Sequence, residues 1–455
     1  MSKSATFSKT YPGADALKAY FSQHGISQVE VMFADISGYP RGKLTPAHSF
    51  AAQSELRIAE AIMMQAVTGE YSYDPIFPDC DPDVKIVPDY STLCLSPWST
   101  APRAMVVADC QYLAGGECGF SSRGLLKQVV EKYTAKGLKA VVAPEIEFYL
   151  TAPNVDPTQP LTYPAAKNGR SEAGQSAYSM NMLNELAAFW DEFRAALDTL
   201  GVVTDTWIHE AGRSQYEINL MHGDPVAVAD QAFLFKYAAK EIAIKHGLNA
   251  VFMAKPISGQ PGSSMHLHQS VVDAAGQNIF SNPNGTESVV FRQFIAGLQT
   301  YIPDMMLIFA PFINSYRRFV EGSQAPVNLQ WGLDNRTTGL RIPISGPAAR
   351  RVENRIAGAD ANPYLAIAAS LAAGLAGMEE GLVASAPIEG NGYDHAHDLA
   401  SGYQAAHAQM KASATCRRLL SEKFVEGYVS TKWLEYQNFQ NEISAWERRF
   451  LVPQA

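Results

Sequence analysis

Residues 143–150, APEIEFYL, carry two glutamates one residue apart in an otherwise apolar run. On an extended strand side chains alternate between faces, so Glu145 and Glu147 project together while Ile146 and Phe148 face the other way. Two ionised carboxylates side by side repel, and in a partly buried cleft they stay charged when cations sit between them. Taken alone, such a dyad also fits a solvated strand face. The pattern recurs downstream. In IHEAGRSQYEINL, Glu210 ends one strand and Glu217 lies inside the next; in SSMHLHQS, His266 and His268 share a face. In RRVENRI, Arg351, Glu353 and Arg355 alternate with Val352 and Asn354.

If these groups converge, oxygen-dominated ligation with one imidazole suits Mg²⁺ or Mn²⁺ better than zinc or copper. Five carboxylates nearly balance two divalent ions, which makes a two-metal site reasonable. Arginines supply the other half. Arg317, Arg318, Arg336, Arg341, Arg350, Arg351 and Arg355 crowd between residues 317 and 355. Their planar forks recognise carboxylate and phosphate in bidentate fashion. Metals with arginines point to phosphoryl transfer, where catalysis is mainly positioning and charge neutralisation. The chain has no Walker loop, so a nucleotide would be held by metals and arginines.

Positioning these groups needs a large scaffold. At 455 residues the chain exceeds the size at which one core stops growing, which predicts two domains. Its 47% hydrophobic and 18% charged composition is that of an ordinary globular protein. A net charge of -9 argues against nucleic acid or an anionic membrane as partner. No apolar run reaches membrane-spanning length, and the polar start MSKSATFSKT lacks a secretory core. Five cysteines without a CxxC pair fit reduced thiols, and the expected location is the cytoplasm.

Local patterns predict the elements. Residues 14–24 read as a helix and 29–35 as a strand, followed by a turn over ISGYPRGKLTP where glycine and proline break regular structure. Residues 70–120 read as small strands and loops, ending in the glycine-rich connector GGECGFSSRG. Ser122 would cap a helix stopped by Gly137, and the strand LKAVVAPEIEFYL follows. Residues 151–176 lack periodicity and read as a long loop. Helices are predicted over 178–200, 226–246, 287–309 and 430–449, with strands VVTDTWIHE, YEINL, AVFMAKPI and SSMHLHQSVV between them. Asn362-Pro363 is an N-cap and first-turn proline opening an alanine-rich helix. Strands separated by helices and long loops predict a mixed α+β fold.

The blocks PEIEF, HEAGRSQYEINL, KPISGQPGSSMHLHQS, NSYRRFVEG, NRTTGLRIP and RRVENRIAGADANPYL, in this order, resemble the glutamine synthetase family over nearly the whole chain. The resemblance implies an N-terminal β-grasp domain over 14–112. It also implies a catalytic domain over 113–455, with a curved antiparallel sheet and surrounding helices. Active sites shared between neighbours in a homo-oligomer are expected, a dodecamer of two hexameric rings. Glu147, Glu210 and Glu217 match the ligands of one metal, and Glu145, His266 and Glu353 those of the other. Arg341, Arg351, His268 and Ser270 match nucleotide contacts. Arg318, Arg336 and Arg355 match groups that hold glutamate and the transferred phosphoryl, and Gly262 a backbone contact to glutamate. Asp35 matches an aspartate that reaches a neighbour's site near the incoming amine. The implied chemistry is phosphorylation of the glutamate side-chain carboxylate by ATP, then attack by an amine on the acyl phosphate.

Several departures bear on the acceptor. The flap reads EGSQAP, placing Gln324 where family synthetases carry a glutamate, with Glu321 three residues earlier. A glutamine side chain cannot accept a proton from the tetrahedral adduct. The turn after Asp35 contains RGK, similar to glutamate–amine ligases, including γ-glutamylpolyamine synthetases. NGYDHAHDLA lacks a clear match to the segment adenylylated in regulated synthetases, and Pro261 stands where asparagine is usual. These features predict an organic amine as acceptor, a polyamine such as putrescine or a small monoamine. A glutamine synthetase using ammonia is the alternative, and an inactive structural family member a more distant one.

Overall fold

A computed structural model of the chain describes residues 7–72 and 80–454. The polar start up to residue 6, and residues 73–79 of the stretch expected to form small strands and loops, lie outside them. Two sheets organise the rest, in a mixed α and β architecture. The first contains β1 (Gln28–Ala34), β2 (Pro40–Pro46), β3 (Leu56–Ala59), β4 (Asp83–Pro88), β5 (Cys94–Leu95) and β6 (Arg103–Tyr112). Its order is β2-β1-β6-β4-β3 with β5 on β6, and β1 runs parallel to β6. The second contains β7 (Lys139–Thr151), β8 (Thr204–His209), β9 (Gln215–Leu220), β10 (Asn249–Val251), β11 (Met265–Val272), β12 (Trp331–Leu333), β13 (Leu340–Ile342) and β14 (Val352–Asn354). Its order is β12-β13-β14-β11-β7-β9-β8 with β10 on β7, antiparallel except between β12 and β13.

The alternation along β7 divides it as expected. Ile146 and Phe148 are fully buried, and Phe148 meets Phe235 of the helix Pro225–Lys245 edge-on at 5.9 Å. Edge-to-face rings add to what area burial alone contributes. Behind β11 and β14 runs the helix Pro363–Glu380. Gln269 and Asn354, on the face opposite the histidines and Glu353, both donate to the buried Ser370 hydroxyl of that helix, at 2.8 and 2.9 Å. Asn362 caps the helix as predicted, accepting from the amides of Tyr364 and Leu365 with Pro363 in the first turn. Its amide nitrogen donates the other way, to the carbonyls of Asp35 and Ile36 at 2.7 and 3.3 Å. One side chain thus joins the helix of the second sheet to the end of β1.

A buried ion cluster makes a second junction. Arg123 lies in the helix Ser122–Thr134 and is 4% exposed. It pairs with Asp89 and Asp109 on the first-sheet side at 2.7 and 2.5 Å, and with Asp230 of helix Pro225–Lys245 at 2.8 Å. Three carboxylates on one guanidinium leave few of its donors unused.

Several elements differ from the sequence expectation. Residues 40–46, read as a turn, form β2 against β1. Glycine here permits close approach: a Cβ on Gly42 would run into the Val31 carbonyl and sit 2.9 Å from Met32 Cα. Pro40 and Pro46 stand at the ends of an edge strand, where proline is tolerated. The helix expected over 178–200 starts later, because Tyr178 has φ +61°. It splits at Leu186 into Met180–Glu185 and Ala187–Leu200. Pro303 stops the helix expected over 287–309, which is Val289–Tyr301 followed by two short turns. The expected C-terminal helix is two: Glu422–Gln440, capped by Ser421, and Ala445–Phe450, opened by a Ser444/Glu447 capping box. Helices Tyr403–Ala412 and Ala414–Leu419 precede them without having been foreseen. The cap before Arg123 is Ser121, not Ser122, and AVFMAKPI contributes only Ala250 and Val251 to a strand, the end of β10. All five cysteines are free. Among the described residues no helix is long and apolar enough to cross a membrane.

Candidate active site

One face of the second sheet collects the charged residues by strand register. Glu147 of β7 pairs with Glu217 of β9, and Glu145 with Asn219. On the other side Glu145 pairs with His266 of β11. His268 then pairs with Glu353 of β14, and Glu353 with Arg341 of β13. Residues from widely separated segments therefore form one continuous polar row.

Hydrogen bonds fix this row. Ser264 donates its amide to Glu147 Oε2 at 2.9 Å and its hydroxyl to Oε1 at 2.5 Å. His266 Nδ1 lies 3.3 Å from Glu145 Oε2 and 3.7 Å from Glu353 Oε1. His268 Nε2 lies 2.9 Å from Glu145 Oε1, while Arg351 Nε donates to His268 Nδ1 at 3.1 Å. Glu353, fully buried, accepts from Arg341 at 2.6 Å and Arg355 at 2.5 Å.

Burial and neighbouring charge split the five carboxylates into two kinds. Burial pushes Glu145 upward, but hydrogen bonds from His266 and His268 outweigh it and hold this acid well below the usual carboxylate range. Burial likewise opposes ionisation of Glu353, and the Arg355 guanidinium more than offsets it, leaving a pKa of about 2. Glu147 is different: burial, then repulsion from Glu210, pushes it up to about 7. Burial raises Glu210, and raises Glu217 well above normal with the charges of Glu145 and Glu147 adding to it. Burial and the charge of Arg355 push His266 down to about 4, so it presents a neutral imidazole.

A neutral imidazole among crowded carboxylates is the donor set of a hard divalent cation. Ligand atoms of Glu145, His266 and Glu353 lie within 4.8 Å of one another, as do those of Glu147, Glu217 and His266. Glu210 is outside both groups. It follows β8 in a turn, accepts from the Ala211 amide at 3.2 Å, and feels the charge of exposed Arg336.

The remaining expected residues fall around this row. Arg318 is buried, donates to the carbonyls of Arg355 and Ile356, and is lowered by burial to about 10. The Nε atoms of Arg318, Arg341 and Arg355 are buried without a hydrogen-bond partner among the described residues, so three guanidinium donors remain for an anion. A Cβ on Gly262 would sit 2.5 Å from Arg318 Cγ, so glycine is needed for the arginine to pass. The Gly262 carbonyl accepts from Gln215 Nε2 at 2.9 Å. Arg341 also holds Asp334 at 2.7 Å. Ser270, part-exposed, lies on β11 two residues beyond His268. In the flap, Gln324 has φ +60° and its carbonyl accepts from Arg355 at 3.3 Å, while exposed Glu321 pairs with His397 at 3.2 Å. Asp35 is buried on the first sheet. Its carboxylate accepts from the amides of Ser37 and Tyr39 and from Arg41 Nε, each at 2.9 Å. Sequence reasoning missed Gln215 and Ser264, whose polar groups anchor Glu147; both lie inside the quoted motifs, but uncharged residues gave no signal there.

The model of the glutamine synthetase catalytic domain matches residues 120–451. A glutamate–isopropylamine ligase from Pseudomonas sp is 36% identical over 448 residues, covering 95% of this chain and 96% of its own. The γ-glutamylputrescine synthetase PuuA of Escherichia coli K12 is 32% identical over 461 residues, 96% of this chain and 94% of its own. Glutamine synthetases are among the other relatives. Of solved structures, an ADP complex of GmaS superposes with a TM-score of 0.82 at 26% identity, over 96% of this chain and 99% of that one. Register, donor set and sequence likeness agree, and the chain belongs to the glutamine synthetase family, as a carbon–nitrogen ligase.

Proposed function

We propose that the protein joins the γ-carboxylate of glutamate to an organic amine, using ATP and passing through γ-glutamyl phosphate. The terminal phosphoryl group passes from ATP to a carboxylate oxygen, releasing ADP. The neutral amine nitrogen then bonds to the acyl carbon as phosphate leaves, and the nitrogen's extra proton is lost to a base. In this reading residues 14–112 form a β-grasp unit, residues 113–455 the catalytic domain, and subunits assemble into stacked rings with Asp35 serving a neighbour.

Glu145, His266 and Glu353 would hold one Mg²⁺ or Mn²⁺, and Glu147, Glu217 and Glu210 a second. Such ions neutralise charge on a transferring phosphoryl group. Arg341, Arg351, His268 and Ser270 would bind the nucleotide phosphates. Arg318, Arg336 and Arg355 would bind glutamate and the developing charge, the unpaired buried Nε atoms of Arg318 and Arg355 being in place before substrate arrives.

The observation that carries the choice of acceptor is the flap. Gln324 gives Arg355 its main-chain carbonyl and its side chain carries no charge, while the flap's carboxylate, Glu321, is turned to His397. With glutamine at position 324 an ammonium ion finds no counter-charge there, whereas an alkylamine can bind through its carbon chain. The test is phosphate release from ATP and glutamate with a panel of amines. Isopropylamine, putrescine or a similar amine should outperform ammonium by about tenfold or more. Equal turnover with ammonium would overturn the reading in favour of a glutamine synthetase, the second activity found among the relatives.

A further inference from the structure

Of the five candidate carboxylates, four sit on strands whose ladders fix them, and Glu210 alone is carried by a turn. Its placement must come from elsewhere. The turn between β8 and β9 begins at His209, fully buried, and ends at Ser214, which is held at φ +55°. A serine in the left-handed region is costly unless its surroundings impose it. Both ends meet one side chain from the long loop over 151–176. Glu172 Oε2 accepts the Ser214 amide at 2.7 Å and lies 3.2 Å from His209 Nε2. His209 Nδ1 in turn lies 2.8 Å from the carbonyl oxygen of Glu210. Beyond Ser214, Gln215 Nε2 reaches Gly262 O at 2.9 Å and Glu147 Oε2 at 3.4 Å.

We infer that Glu172 is a positioning residue, which clamps the 209–215 turn at both ends and so aims Glu210 at the second cation and Gln215 at Glu147. This rests on the ligase reading above. The clamp is separable from the docking of the loop. Arg213 stacks on the Tyr163 ring at 4.5 Å and donates to the Ala173 carbonyl at 3.4 Å, and the Tyr178 amide donates to the His209 carbonyl at 2.8 Å. These contacts keep the loop in place when Glu172 is changed.

The test is Mn²⁺ binding by titration calorimetry to the full-length protein without nucleotide, with melting temperature measured alongside. Glu172→Ala should weaken one of two Mn²⁺-binding steps about tenfold, the size usual for groups that orient metal ligands, and leave the other step unchanged. Glu172→Gln keeps an acceptor for the Ser214 amide and loses the charge beside His209, so it should fall between Glu172→Ala and wild type. It also replaces Glu172→Ala should that variant melt early. Arg213→Ala should bind Mn²⁺ as wild type does. Unchanged binding in both Glu172 variants, with wild type binding two ions, overturns the inference alone. An equal loss in Arg213→Ala overturns it too, because loop docking rather than the clamp would be responsible. Failure of wild type to bind Mn²⁺ overturns the ligase reading with it.

Discussion

Glu147 and Glu217 stand directly opposite each other on β7 and β9, two buried carboxylates in one cross-strand pair. Like charges so placed are destabilising unless a proton or a cation intervenes. The proton alternative has a measurable signature. The folded-state pKa of Glu147, about 7, lies above the ordinary value of 4.5. In the metal-free protein its contribution to stability is therefore complete below the unfolded-state value and lost as pH rises through 7. A divalent ion displaces that proton, so stabilisation by Mn²⁺ should grow between pH 5 and 8. Melting temperatures in chelator and in Mn²⁺ across this range check the sign; a metal effect independent of pH would contradict it.

Glu353 ties both guanidinium groups of Arg341 and Arg355 to the sheet. Glu353→Ala removes a proposed ligand and strands two cations beside the site, and breaking a buried pair of this kind costs about 3–5 kcal/mol. Glu353→Gln keeps the volume and loses the charge. ADP formation should fall about a hundredfold or more in the glutamine variant even at saturating Mn²⁺, with denaturant melts separating lost chemistry from lost fold.

Arg123 should matter for stability without touching the polar row. Arg123→Met leaves Asp89, Asp109 and Asp230 without their shared cation, and about 3–5 kcal/mol of stability should go with it. Urea unfolding of the variant measures this, and a midpoint equal to wild type would show that the cluster is neutral to folding.

Gln324→Glu restores a carboxylate to the flap. Turnover with ammonium relative to the preferred amine should rise about tenfold or more, because the change adds a counter-charge for the cationic form and an acceptor for its proton. Competition assays with both nitrogen donors present give the ratio directly.

What the sequence disclosed depends on how local the determinant is. Glu145 and Glu147 could be placed on one face because alternation acts over a few residues, and the Asn362-Pro363 helix start was readable for the same reason. The pairing of Glu147 with Glu217 and of His268 with Glu353 was not readable from spacing, since it depends on strands 70 and 85 residues apart choosing a register. Resemblance to a family supplied the grouping, including Glu210, which lies on a turn rather than a strand and whose charge acts on Glu147. β2 was misread because Gly42 and its flanking prolines look like a breaker locally, while the close passage of β1 that demands glycine is long-range. Glu172 gave no signal at all: it lies in a loop without periodicity, and its partners are thirty-seven and forty-two residues away.

Asn362 reaches from a helix N-terminus in one half of the molecule to the backbone beside Asp35 in the other. A hinge between the two sheets would have to give up those donations to Asp35 and Ile36, and Arg123 would resist the same movement from a second point. Both ties oppose relative movement of the two sheets. Any opening around substrates would therefore fall to the flap, where Glu321 and Gln324 face solvent, and not to the long loop, which Glu172 ties to buried His209 and Ser214.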